Sequence, residues 1–129
     1  MKGTEFILLA AGAVLGAYLR FRIVESPMSA GGLPLNVLLV NAVGSFLMGV
    51  FSVITVTLNL DFRYTLFFAV GFCGSFTTMS SFALETTNLL ESKRFTLATL
   101  NITANVGLSL TSMLAGREFG NMIMAWLLR

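Results

Sequence analysis

Apolar residues along this chain gather into four long blocks, at about residues 4–19, 35–58, 64–90 and 95–115. A hydrocarbon core of about 30 Å needs roughly 20 mostly apolar residues per helix, so each block predicts a membrane-spanning helix. The first is short, and Glu5 near its start would lie at the membrane surface. Between the blocks run RFRIVESPMSAGGLP, whose Pro, Gly and Ser residues signal turns, then NLDFR, then ESKR. Four helices with short connections predict one compact all-α domain over residues 1–129, with both termini on one side. Residues 119–129, with Trp126 and Arg129, predict an interfacial tail.

Composition agrees. The chain is 56% hydrophobic and 11% charged, where soluble domains carry roughly one quarter charged residues. The first apolar run is not followed by a small-residue cleavage site and a polar mature segment, so it is expected to remain as a helix. A single cysteine, Cys73, and the absence of histidine exclude disulfide frameworks, zinc sites and the common nucleophilic triads. The net charge of +2 comes from eight cations scattered at block ends, which predict membrane-interface anchors and no nucleic-acid partner. Their distribution is balanced. Lys2, Arg63, Arg117 and Arg129 fall on one side, and Arg20, Arg22, Lys93 and Arg94 on the other. Orientation normally follows a cation bias, so a chain without one is expected to insert both ways up and pair as an antiparallel, dual-topology homodimer.

Polar residues inside the blocks carry the candidate chemistry. Gly12 and Gly16, with Ala13 and Ala17 beside them, form a small-residue face for close helix approach. Arg20, just past that run, is either an interfacial anchor or part of a basic vestibule that attracts anions. Asn41 must find a hydrogen-bonding partner or water, as packing glue or as a pore donor. Asn101, Asn105 and Ser109 recur every four residues in the fourth block, with Ser112 three further on, so they share one helical stripe, from which Thr99 and Thr103 are excluded. The third block contains GFCGSFTTMSSF at 71–82, with two glycines and five hydroxyls in twelve residues near mid-membrane. Glycines there can unwind a turn, so GFCGSFTT at 71–78, with the midpoint of the span close to Thr77, is expected to be a helix break. Irregular backbone at that depth must be buried in protein or line a wet cavity, and freed carbonyls coordinate cations while freed N–H groups favour anions. Glu85, three residues after Phe82, would pair with Arg20 or Arg22, carry a proton, or line an entrance.

Three blocks in order, GAVLGAYLR at 12–20, NAVGSFLMG at 41–49 and GFCGSFTTMSSFALE at 71–85, give the chain, up to about Gly120, a pattern that resembles the Fluc (CrcB) family of fluoride channels. The resemblance implies a fluoride-selective channel in the cell (inner) membrane, with a broken third helix, an antiparallel homodimer with two pores, and a structural sodium ion. It implies that backbone carbonyls of Gly74 and Thr77 hold the sodium, that Asn41 and Phe82 line the pore beside Thr78 and Ser80, and that Arg20 and Glu85 stand at the vestibule. Asn105 and Ser109 would form the fourth-helix track. Met79 departs from the family pattern, which places a phenylalanine there; a thioether has no positively polarised ring edge to turn toward an anion. The chemistry itself is coherent, because a strongly hydrated small anion enters a narrow pore only where several weak donors replace its water shell. The alternative is a small proton-coupled multidrug-type antiporter. That chemistry needs a carboxylate at the centre of the first helix, where Gly12 and Ala13 stand instead.

Overall fold

The computed structural model describes residues 1–129. Four helical spans are long and apolar enough to cross a membrane: Gly3–Val24, Asn36–Thr57, Phe62–Glu91 and Phe95–Leu127. They comprise α1 (Gly3–Val24), α2 (Asn36–Thr57), a third span that is divided internally, and α6 (Phe95–Leu127). The third span runs as α3 (Phe62–Tyr64), a π-helical segment (Thr65–Cys73), α4 (Gly74–Phe76), two extended residues, and α5 (Met79–Glu91).

Local chemistry sets most of the ends. Glu5 accepts the backbone N–H of Lys2 at 2.7 Å and so closes the start of α1. Positive φ at Asn59 and Lys93 lets the chain leave α2 and α5, with Leu60 N–H returning to Thr55 O and Arg94 N–H to Leu89 O. The α1–α2 connection folds into a small hairpin of β1 (Ser29–Ala30) and β2 (Leu33–Pro34), whose turn residues Gly31 and Gly32 both have positive φ. Asn36 ties this connection down, accepting from Met28 N–H at 2.6 Å and donating to Ile23 O at 2.6 Å and Ser26 O at 2.8 Å.

The spans pair in parallel, α1 with the first half of the third span and α2 with α6. Gly12 lies against the Phe67 carbonyl, Gly16 against that of Phe72, and Gly71 against that of Leu9. On the other side, Gly49 meets Met113, Gly116 meets Phe46, and Gly120 meets Val50 and Val53. A Cβ at most of these positions would overlap backbone, so the glycines let helices touch main chain to main chain, which in lipid is where the packing energy lies. The small-residue face expected on α1 is thus real, and Gly116 and Gly120 form a second one on α6.

One expectation is narrowed and two are corrected. The break lies within GFCGSFTT as expected, but the glycines at 71 and 74 remain helical and it falls at Thr77 and Thr78, whose backbone is extended. The helix of the first block is not confined to 4–19 but continues to Val24, carrying Arg20 and Arg22 on it. Residues 119–129 are not a separate tail, because α6 continues through Ala115 to Leu127 and buries Gly120 and Met124. Arg117 and Glu118 had marked an end by their charge, yet both are simply exposed on the helix surface.

Candidate functional site

The break at Thr77–Thr78 is the centre of the Phe62–Glu91 span. It releases backbone groups, and side chains take most of them up. Thr78 N–H, which in a continuous helix would bond Gly74 O, donates instead to Asn41 Oδ1 at 2.8 Å. Asn41 Nδ2 returns a bond to Thr78 O at 3.2 Å and a second to Asn105 Oδ1 at 3.2 Å. Thr78 also starts α5, its hydroxyl oxygen accepting from Ser81 N–H at 3.2 Å. Asn41 therefore holds both backbone groups of Thr78, one from each of two successive peptide units, from 37 residues away, which meets the requirement that polar backbone at this depth be satisfied by protein.

From Asn41 the hydrogen bonds continue in one direction. Asn105 donates to the carbonyl and to the side-chain oxygen of Asn101, each at 3.0 Å. Asn101, fully buried, donates to Thr86 Oγ1 at 3.1 Å, and Thr86 donates to Phe82 O at 2.8 Å. Of the stripe expected on α6, Asn101 and Asn105 are bonded to each other, and Thr99 and Thr103 are bonded back to their own helix.

Beside this network opens a cavity of about 310 Å³ lined by Asn41, Ser45, Thr77, Thr78, Met79, Phe82, Asn105, Val106, Ser109 and Leu110. The structure thus gathers Asn41, Thr78, Met79, Phe82, Asn105 and Ser109 around one space at mid-span. Met79 is 74% exposed and stands at its open edge. Ser80 is exposed and outside the lining, its hydroxyl 3.3 Å from that of Thr78. Ser45 had not been singled out, although its place four residues after Asn41 matches that of Ser109 after Asn105.

A smaller neighbouring cavity of about 160 Å³ is lined by Gly44, Ser45, Met48, Cys73, Gly74, Thr77 and Met113. Gly74 O has lost its helical N–H donor to Asn41, and Thr77 O has lost that of Ser81 to the Thr78 hydroxyl. Carbonyls freed in this way are donors for a hard monovalent cation, and no cluster of acidic, Cys or His side chains offers a competing site for a transition metal.

The vestibule residues stand apart. Arg20 lines a separate cavity with Ala17, Phe21, Val24, Glu25 and Ser81. The pairing expected between Glu85 and Arg20 or Arg22 does not form: Arg22 is taken by Glu25 at 2.8 Å, a partner one turn away on its own helix, and Glu85 Oε2 is buried without a hydrogen bond.

A multi-pass membrane protein with a hydrogen-bonded helix break and a polar cavity at mid-depth belongs to the channel and transporter class. Comparison with known proteins narrows the class: the family described as CrcB-like protein, Camphor Resistance (CrcB), matches residues 7–117, and the chain belongs to that family. It is 54% identical to the fluoride-specific ion channel FluC of Nitrosopumilus maritimus over 97% of this chain and 99% of that one. It is 38% identical to the protein of that name from a Sulfurihydrogenibium species, over 92% and 98% of the two chains. With the Acinetobacter baylyi protein of the same name it shares 34% identity over 88% and 90%.

Proposed function

We propose that the protein is a fluoride-selective channel for passive fluoride export across the cell membrane, working as an antiparallel dual-topology homodimer with a pore along each Asn41–Phe82–Ser109 cavity. Family membership supports the ion. The single observation that carries the mechanism is the helix break at mid-span, where Gly74, Met79 and Ser80 are exposed on the surface of one chain. Backbone polarity at that depth cannot face lipid, because each unsatisfied group costs several kcal/mol there. A second copy laid across the break would cover it and complete the wall of each cavity.

In that assembly a sodium ion would sit at the carbonyls of Gly74 and Thr77 from both copies, offsetting the freed oxygens without a carboxylate. The fluoride path would run past weak donors, none of them a fixed cation at mid-pore, so the anion is desolvated stepwise and released. No residue acts as a nucleophile or acid–base catalyst; the chain is a transporter and not an enzyme. The antiporter reading has no support at the centre of α1, where Gly12 and Gly16 are buried against the third span.

Fluoride-electrode recordings from liposomes containing the purified protein test the reading, with chloride as the control anion. Rapid fluoride release with chloride retained is expected, and sodium replaced by a bulky organic cation should abolish it. No fluoride release would leave only a structural membrane subunit, and flux indifferent to sodium would remove the cation from the site.

A further inference from the structure

Helical serines and threonines in an apolar bundle ordinarily return their O–H to a carbonyl one turn back. Thr86, Thr99, Thr103 and Thr111 do so here, Thr77 does so from the end of α4, and Ser52 bonds Gly49 O. Ser45 makes no such bond, and it lines both the larger polar cavity and the smaller one beside it.

The amides nearby are already committed. Asn41 Nδ2 is spent on Thr78 O and Asn105 Oδ1, and Asn105 Nδ2 on Asn101. Drawing either amide toward an anion would undo the clamp on the break. The hydroxyls of Ser45 and Ser109 sit one turn beyond these amides on parallel helices and carry no such duty. A hydroxyl also rotates freely, so its O–H can turn to an anion in one cavity while its lone pairs face the other.

We propose that Ser45 is an anion-binding residue of the pore, its O–H donating to the permeating halide at the wall shared with the Gly74–Thr77 cavity. The assignment rests on the fluoride-channel reading and adds a donor to it. It places the anion one turn deeper along α2 than Asn41, beside the candidate cation site, where the two opposite charges would favour each other's occupancy.

Liposome efflux from wild type and the variants Ser45→Ala, Ser45→Gly and Ser45→Thr tests it, read as initial fluoride flux against internal fluoride concentration. Removal of the hydroxyl in S45A and S45G should lower flux about tenfold and raise the half-saturating fluoride concentration, the scale of one hydrogen bond to a charged partner. S45T should restore wild-type behaviour, and the thermal unfolding of S45A in detergent should match wild type, since the hydroxyl holds nothing in the protein. A wild type that passes no fluoride overturns the channel reading itself. Wild-type flux in S45A, or equal losses in S45A and S45T, overturns the Ser45 assignment alone.

Discussion

Between Thr65 and Phe76 the third span meets α1 main chain to main chain, through Gly12, Gly16 and Gly71, and its phenylalanines stack at ring separations of 5.4 Å for Phe68–Phe72 and 5.6 Å for Phe72–Phe76. Between Met79 and Glu91 the same span meets α6 with a side-chain hydrogen bond, Asn101 to Thr86. The first half is held by shape. The second is held by polar groups and borders a cavity. Two kinds of adhesion thus divide one helix at the point where its backbone is interrupted, and the polar cavity opens at that division.

The largest test of that contrast is Gly16→Leu. A Cβ there meets the Phe72 carbonyl backbone, which cannot give way, so the variant should yield no monodisperse protein in detergent; a folded G16L would show that α1 can slide on the third span. Next comes Asn41→Leu, which strips partners from both the N–H and the C=O of Thr78. At about 1–3 kcal/mol per orphaned group, thermal unfolding should show a loss of about 2–6 kcal/mol together with loss of fluoride flux. A stable N41L would mean the break holds itself. Thr86→Val removes one interhelical bond, and a membrane bond of this kind averages about 0.6 kcal/mol. A double-mutant cycle with Asn101→Leu should recover that small coupling, and strict additivity would dismiss the bond as incidental. The smallest effect is expected at Met79→Phe. The residue is 74% exposed in one chain, so its unfolding should not change, while fluoride flux should stay equal or rise. A fall would mark the thioether as a working part of the pore.

Hydropathy made the four spans legible, because length and apolarity alone decide whether a segment can cross. The helix ends were less so. Arg117 and Glu118 look like a boundary, yet α6 passes through them, since charge on an exposed face does not interrupt a backbone ladder. GREFG at 116–120 carried the missing signal, two glycines four apart that bury against α2. The break was expected within GFCGSFTT at 71–78 and falls at its last two residues, not at its glycines. Glycine serves unwinding and close approach equally well, and only the position of α1 reveals which use Gly71 has. Asn41 announced that it needed partners. It did not announce them, because Thr78 and Asn105 lie 37 and 64 residues away. Of the roles open to Glu85, pairing with Arg22 is pre-empted by Glu25, a nearer acid one turn along α1.

The nine-residue π segment sets the phase of everything that follows it. A π turn bonds each N–H five residues back in place of four, as Gly74 N–H does to Ala69 O, so it absorbs one more residue per turn than the helices around it. Each residue of an α-helix turns the chain by about 100°. Had Thr65–Cys73 been wound as plain α-helix, Thr77 and Thr78 would emerge on another side of the span, facing lipid or α1 instead of Asn41. The segment therefore works as a rotational spacer: the extra residues held in its wide turns are what aim the break at the helix that holds it.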